Sequence, residues 1–137
     1  MTGNLYINGA DAWTEWGVFL EDGSRNKLIM GVPLKPFPEN KSRLEHGKQV
    51  LYSSPRQDER DIELVFCFLK AGNFVDNYNS FMSELYKGEV VLKYVEAGVN
   101  ATFRFAYLNC RSLNTVQYAG KLSVRFNEPN PSNRGND

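Results

Sequence analysis

The sequence predicts a mainly β (α+β) fold: an antiparallel β-sandwich or split barrel with one flanking α-helix and a long proline-rich arm. Three observations carry this. Apolar residues alternate with period two in several runs of the second half, as in strands with one buried face. One run, 73–86, instead spaces its apolar residues as a helix does. Between these and the N-terminus, Pro33, Pro36, Pro38 and Pro55 crowd a stretch with no periodicity.

The 137 residues are enough for one domain with its own core, and 42% of them are hydrophobic. Sixteen basic and sixteen acidic side chains cancel, so no strong field draws the chain to nucleic acid or to an anionic membrane. The first residues have neither a basic n-region nor an apolar h-region, and no apolar run is long enough to span a bilayer.

Leu5-Tyr6-Ile7 reads as a short strand running into the tight-turn pair Asn8-Gly9. Asp11 is placed to cap a single helical turn ending near Gly17, with a strand at about 17–21. Trp13 and Trp16, three residues apart, share a face and plug one end of the core. From 21 to 58 periodicity fails, apart from a short edge strand around 49–52. In the run 59–69, Ile62, Leu64, Phe66 and Phe68 line one face; from Val65 onward both faces are apolar, so the strand is interior. Phe74, Tyr78, Phe81, Met82 and Leu85 form the apolar stripe of the helix, with Asn73 as cap and Gly88 as stop.

Three strands follow, at 89–96, 101–110 and 120–127. Val90, Leu92 and Tyr94 share a face in the first, Phe103, Phe105 and Tyr107 in the second, and Leu122, Val124 and Phe126 in the third. The connection at 97–100 is a hairpin, and 113–118 a wider loop. Residues 1–128 are thus one domain with an arm at about 33–58, and 129–137 is a flexible tail. Cys67 and Cys110 sit among apolar neighbours and read as buried free thiols.

Chemistry-bearing patterns are sparse. There is one histidine, His46, and no nucleophile elbow, glycine-rich phosphate loop, HExxH or CxxC. No catalytic, cofactor or metal residue is therefore assigned, and the expectation is a protein that is not an enzyme. Asp58, Glu59 and Asp61 beside Arg56 and Arg60 read as a solvated, ion-paired face. Within the arm, Phe37, Leu44, Leu51 and Tyr52 are apolar anchors, and Arg43 and Glu45 are charges able to set register. These six are the candidate subunit-interface residues.

The order of elements resembles a family. A strand ending in Asn8-Gly9 precedes Trp16-Gly17-Val18, and a long variable stretch leads into Arg60-Asp61-Ile62-Glu63-Leu64. A helix, Gly88, a hairpin and a closing Phe126-Asn127-Glu128-Pro129-Asn130-Pro131 follow. This resembles the N-terminal domain of phage distal tail proteins and related tail-tube folds, which commonly close on a Phe-x-x-Pro-x-Pro-like ending. The resemblance implies a sheet sandwich with a flanking helix, assembling into a ring that continues the tail tube. Its implied partners are copies of itself, as a hexamer, and neighbouring tail-tube and baseplate proteins. Its implied location is the virion tail, with the bacterial cytoplasm during assembly. The alternative reading is a small, non-catalytic module binding carbohydrate or peptide, resting on Trp13, Trp16 and the aromatic strands.

Overall fold

Period-two and period-3.6 runs take the forms their spacing dictates. A computed structural model describes residues 3–31, 33–34, 39–40, 49–50, 58–69, 74–96, 98–116, 119–131 and 134. Strand β1 (Leu5–Ile7) turns through Asn8 and Gly9 into β2 (Ala10–Asp11). Both turn residues have positive φ, 52° and 87°, as a hairpin turn matched to strand twist requires. Helix α1 (Ala12–Trp16) begins where the Asp11 carboxylate accepts the N–H groups of Trp13 and Thr14, at 3.0 and 3.3 Å. Gly17 closes it in the left-handed region and releases the chain into β3 (Val18–Leu20).

Helix α2 (Asp22–Ile29) and a short pair, β4 (Glu39–Asn40) with β5 (Gln49–Val50), come next. The second half supplies β6 (Arg60–Phe68), α3 (Phe74–Leu85), β7 (Glu89–Glu96), β8 (Val99–Val116) and β9 (Ala119–Glu128). Seven strands form one antiparallel sheet in the order β2-β1-β7-β8-β9-β6-β3. Strand β6 has a neighbour on each side, as its doubly apolar end demands. Helix α1 packs against both β1 and β3, so the sheet curls until its two ends approach. The result is the split-barrel form of the expected fold.

The inward residues are those the alternation selects. Ile62, Leu64, Phe66, Phe68, Val90, Leu92, Tyr94, Phe103, Phe105, Leu122, Val124 and Phe126 are all buried. Helix α3 lies over them. Phe81, its most enclosed aromatic, meets Trp16, Phe66 and Phe68 edge-on, with ring centres 5.4, 5.1 and 5.5 Å away. Met82 and Leu85 are buried beside it, while Phe74 and Tyr78 are half-buried and rest on Phe68. Gly88, at φ +94°, follows the helix as expected; Asn73 lies outside the described residues.

Four expectations are corrected. Helix α2 was not anticipated, and its sequence explains why: only Ser24 and Leu28 are buried, and Gly23 weakens its propensity. Tertiary contacts hold it instead. The Glu21 N–H donates to the Val65 carbonyl, and the Ser24 hydroxyl accepts the Val65 N–H at 2.7 Å. The wide loop at 113–118 is mostly strand, since β8 runs to Val116 and only residues 117 and 118 separate it from β9. Two register shifts, at Tyr107/Asn109 and Cys110/Ser112, break the alternation that would have marked it. Cys110 is half-buried; Cys67 is buried, and both are free thiols. Trp16 alone of the tryptophan pair enters the core, while Trp13 is half-exposed against Phe19.

Candidate assembly surfaces

The arm is tied at its base. The Asp58 N–H donates to the Pro33 carbonyl at 2.8 Å, so the stretch begins and ends at one point on the domain. Inside it, Glu39 faces Val50 and Asn40 faces Gln49 in an antiparallel ladder. The anticipated edge strand at 49–52 is therefore represented by Gln49–Val50, against a partner that its sequence did not reveal. Phe37, Arg43, Leu44, Glu45, Leu51 and Tyr52 lie outside the described residues.

A second constellation joins β6, α2, β9 and the C-terminal segment. Glu128, the last residue of β9, is fully buried. Its carboxylate accepts Arg60 Nε at 2.6 Å, and Arg134 Nε and Nη2 at 2.7 Å each. The remaining Arg60 nitrogens donate to the carbonyls of Lys27, Leu28 and Met30, at 2.9, 3.2 and 3.3 Å. These are the unpaired acceptors at the C-terminal end of α2, where a cation also complements the helix dipole. Burial lowers the Arg60 pKa from its ordinary value, and the Glu128 charge opposes that shift. The guanidinium of Arg134 stands 4.8 Å over the Phe103 ring centre.

Sequence reasoning placed Arg60 on a solvated face, and that is corrected here. Arg60 turns into this cluster, while Asp58 accepts its neighbour's N–H from Glu59 and Asp61 accepts from Asn127. Arg56 lies outside the described residues. Glu128 was missed as a site residue. The available signal was a carboxylate in phase with Leu122, Val124 and Phe126, which puts it on the inward face. Of the segment expected to be a flexible tail, Pro131 is buried and Arg134 is docked on Glu128.

The sheet's edges differ in protection. Where β6 extends past β3, helix α2 covers it through the Val65 contacts. Strand β8 pairs with β7 over Val99–Ala106, and from Ala106 to Val116 it pairs with β9. Its two bulges fall in this second half and blunt the edge there. Between the approaching ends of the sheet lies a cleft of about 240 Å³, lined by Leu5, Val18, Leu20, Asp22, Tyr94 and Glu96. The Tyr94 hydroxyl donates to Glu96. Burial first, and this bond second, raise the phenol pKa above its ordinary range.

The aromatic residues behind the binding-module reading are mostly packing. The Trp16 indole N–H donates to Ser80 Oγ at 3.0 Å, and Phe103, Phe105 and Phe126 stack on one another inside the sheet. Among the described residues, no three His, Cys, Asp or Glu side chains gather as metal ligands, and no helix is long and apolar enough to cross a membrane.

No protein-family model matches the chain, and no curated protein matches it. Its fold is similar to that of a solved structure, the SPP1 Dit (gp 19.1) protein, described as a paradigm of the hub adsorption apparatus in phages infecting Gram-positive bacteria. The two share 10% sequence identity with a TM-score of 0.58, over 93% of this chain and 50% of that one. This chain thus spans about half the length of its structural neighbour. At that identity the likeness is one of fold: a curled antiparallel sheet with a flanking helix, shared with a phage hub protein.

Proposed function

We propose that this chain is a structural, non-catalytic subunit of a phage or prophage tail or baseplate. The observation that carries the proposal is the fold likeness to a phage hub protein, which extends over nearly the whole chain. In this reading copies of the chain, six by the family resemblance, close into a ring that continues the tail tube. The ring adjoins tail-tube and baseplate proteins, and is located in the virion tail after assembly in the bacterial cytoplasm. The hydrogen bond between Asp58 and Pro33 supports the reading, because the proline-rich stretch leaves and rejoins the domain at one point.

Immunogold electron microscopy tests this on particles released by the bacterium that carries the gene. Gold at the distal end of the tail is the expected result. Unlabelled tails, from cultures in which immunoblotting finds the chain only outside particles, would overturn it.

A further inference from the structure

The outward face of the curled sheet carries unpaired charge of each sign in a separate place. Leu92 and Tyr94 of β7, and Phe103 and Phe105 of β8, point into the core, so Lys93 and Arg104 between them point out. With Tyr6, Gly9, Val91 and Thr102 these two cations line a shallow cleft of about 450 Å³. Lys93 Nζ stands 5.5 Å from the Tyr6 ring centre, and Arg104 is exposed. Among the described residues neither cation forms an ion pair, not even with Glu89 on the same face of β7. The opposite charge gathers two strands over from β8, at the entry to β6. There Arg60 turns inward onto Glu128, which takes the adjacent cation away from Glu59 and Asp61. Both carboxylates are exposed, and Asp61 accepts from the neutral amide of Asn127 at 2.9 Å. Glu63, further along β6, is already shared with Arg111 at 3.8 Å.

We propose that the Lys93–Arg104 cleft of one copy receives Glu59 and Asp61 of the next. This inference rests on the assembly reading above and adds a sheet contact to that of the arm. Charge complementarity selects the partner. The sixteen basic and sixteen acidic side chains of the chain balance, so copies do not repel as wholes, yet these cations and carboxylates stand on opposite flanks of one face. An unrelated acidic partner would answer the cleft and leave Glu59 and Asp61 unanswered, whereas a second copy answers both. Each copy then gives its cationic flank to one neighbour and its acidic flank to the other, the head-to-tail arrangement that can close into a ring. Tyr6 already orders Lys93, which lowers the side-chain entropy lost on docking.

Light scattering after size exclusion compares the wild-type chain with two charge-reversed variants, K93E/R104E and E59K/D61K, each alone and then mixed in equal amounts. Circular dichroism checks that each is folded; should a reversal unfold the chain, the neutral pairs K93Q/R104Q and E59Q/D61N replace it, read for weakening alone. The wild type is expected to associate, and less so as salt is raised. Either variant alone should associate roughly tenfold or more weakly, since like charges now meet at the contact. The mixture should recover association, because every contact in an alternating assembly is again between opposite charges. Association that the substitutions leave unchanged, or a mixture as weak as its separate components, would overturn the pairing while leaving the tail reading intact. A wild type that stays monomeric at every concentration would also overturn it, and the gold labelling would then decide the tail reading separately.

Discussion

Arg60 illustrates how one side chain can tie distant parts of this chain together. It sits at the first position of β6, yet it caps the end of α2 and neutralises a carboxylate at the end of β9. Its side chain is 9% exposed and that of Glu128 is 0% exposed, so the pair is desolvated. Such a pair gives little net stability over an apolar equivalent, but removing one partner is costly. Arg60→Ala should destabilise the domain by about 1–3 kcal/mol in urea denaturation, because Glu128 keeps Arg134 but the carbonyls at the end of α2 lose their donor. A loss below about 1 kcal/mol would show that water replaces the guanidinium without penalty. Glu128 followed the inward phase of β9, but nothing in the linear order tied it to Arg60, 68 residues away.

At the scale of elements, α3 shows why one helix was legible and another was not. Its stripe of Phe74, Tyr78, Phe81, Met82 and Leu85 has the helical period, and the core takes it up directly. Its docking is close at the first turn. A Cβ on Gly120 of β9 would stand 2.8 Å from the Phe74 ring, so Gly120→Ala must displace that ring from its place on the sheet. That substitution should cost about 1–3 kcal/mol by urea denaturation, the range for overpacking, and Phe81→Ala about 3–5 kcal/mol, the range for deleting a buried ring. Near-neutral effects at both positions would mean that α3 is not part of the cooperative core. Helix α2 lacks such a stripe. Its single fully buried apolar residue, Leu28, is too little to signal a helix before Val65 and Arg60 are in place.

For the whole molecule, the proposed division of labour is a sheet that holds its shape and an arm that meets neighbours. Because Pro33 and Asp58 close the arm at its base, residues 38–47 should be removable with a short Gly/Ser bridge. The shortened chain should keep its free energy of urea unfolding within about 0.5 kcal/mol of the parent, as for a surface change, but fail to form rings or particles by negative-stain electron microscopy. Normal assembly, or a subunit that no longer folds, would assign the arm to its own domain instead.

The sequence by itself determined the inward face of each long strand, the stripe of α3, the Asp11 and Gly17 boundaries of α1 and the Asn8-Gly9 turn. Each depends on neighbours a few residues apart, whose spacing sets which side of an element is apolar and where the backbone turns. Only the tertiary structure decided the choice of split barrel over sandwich, the existence of α2, the extension of β8 to Val116 and the pairing of Arg60 and Arg134 on Glu128. The physical reason is common to these. Each is stabilised by groups far apart in the chain: a curl closed by α1, backbone groups of β6 that complete α2, a neighbouring β9 that holds β8 beyond the core, and a buried charge that collects whichever cations the fold brings to it.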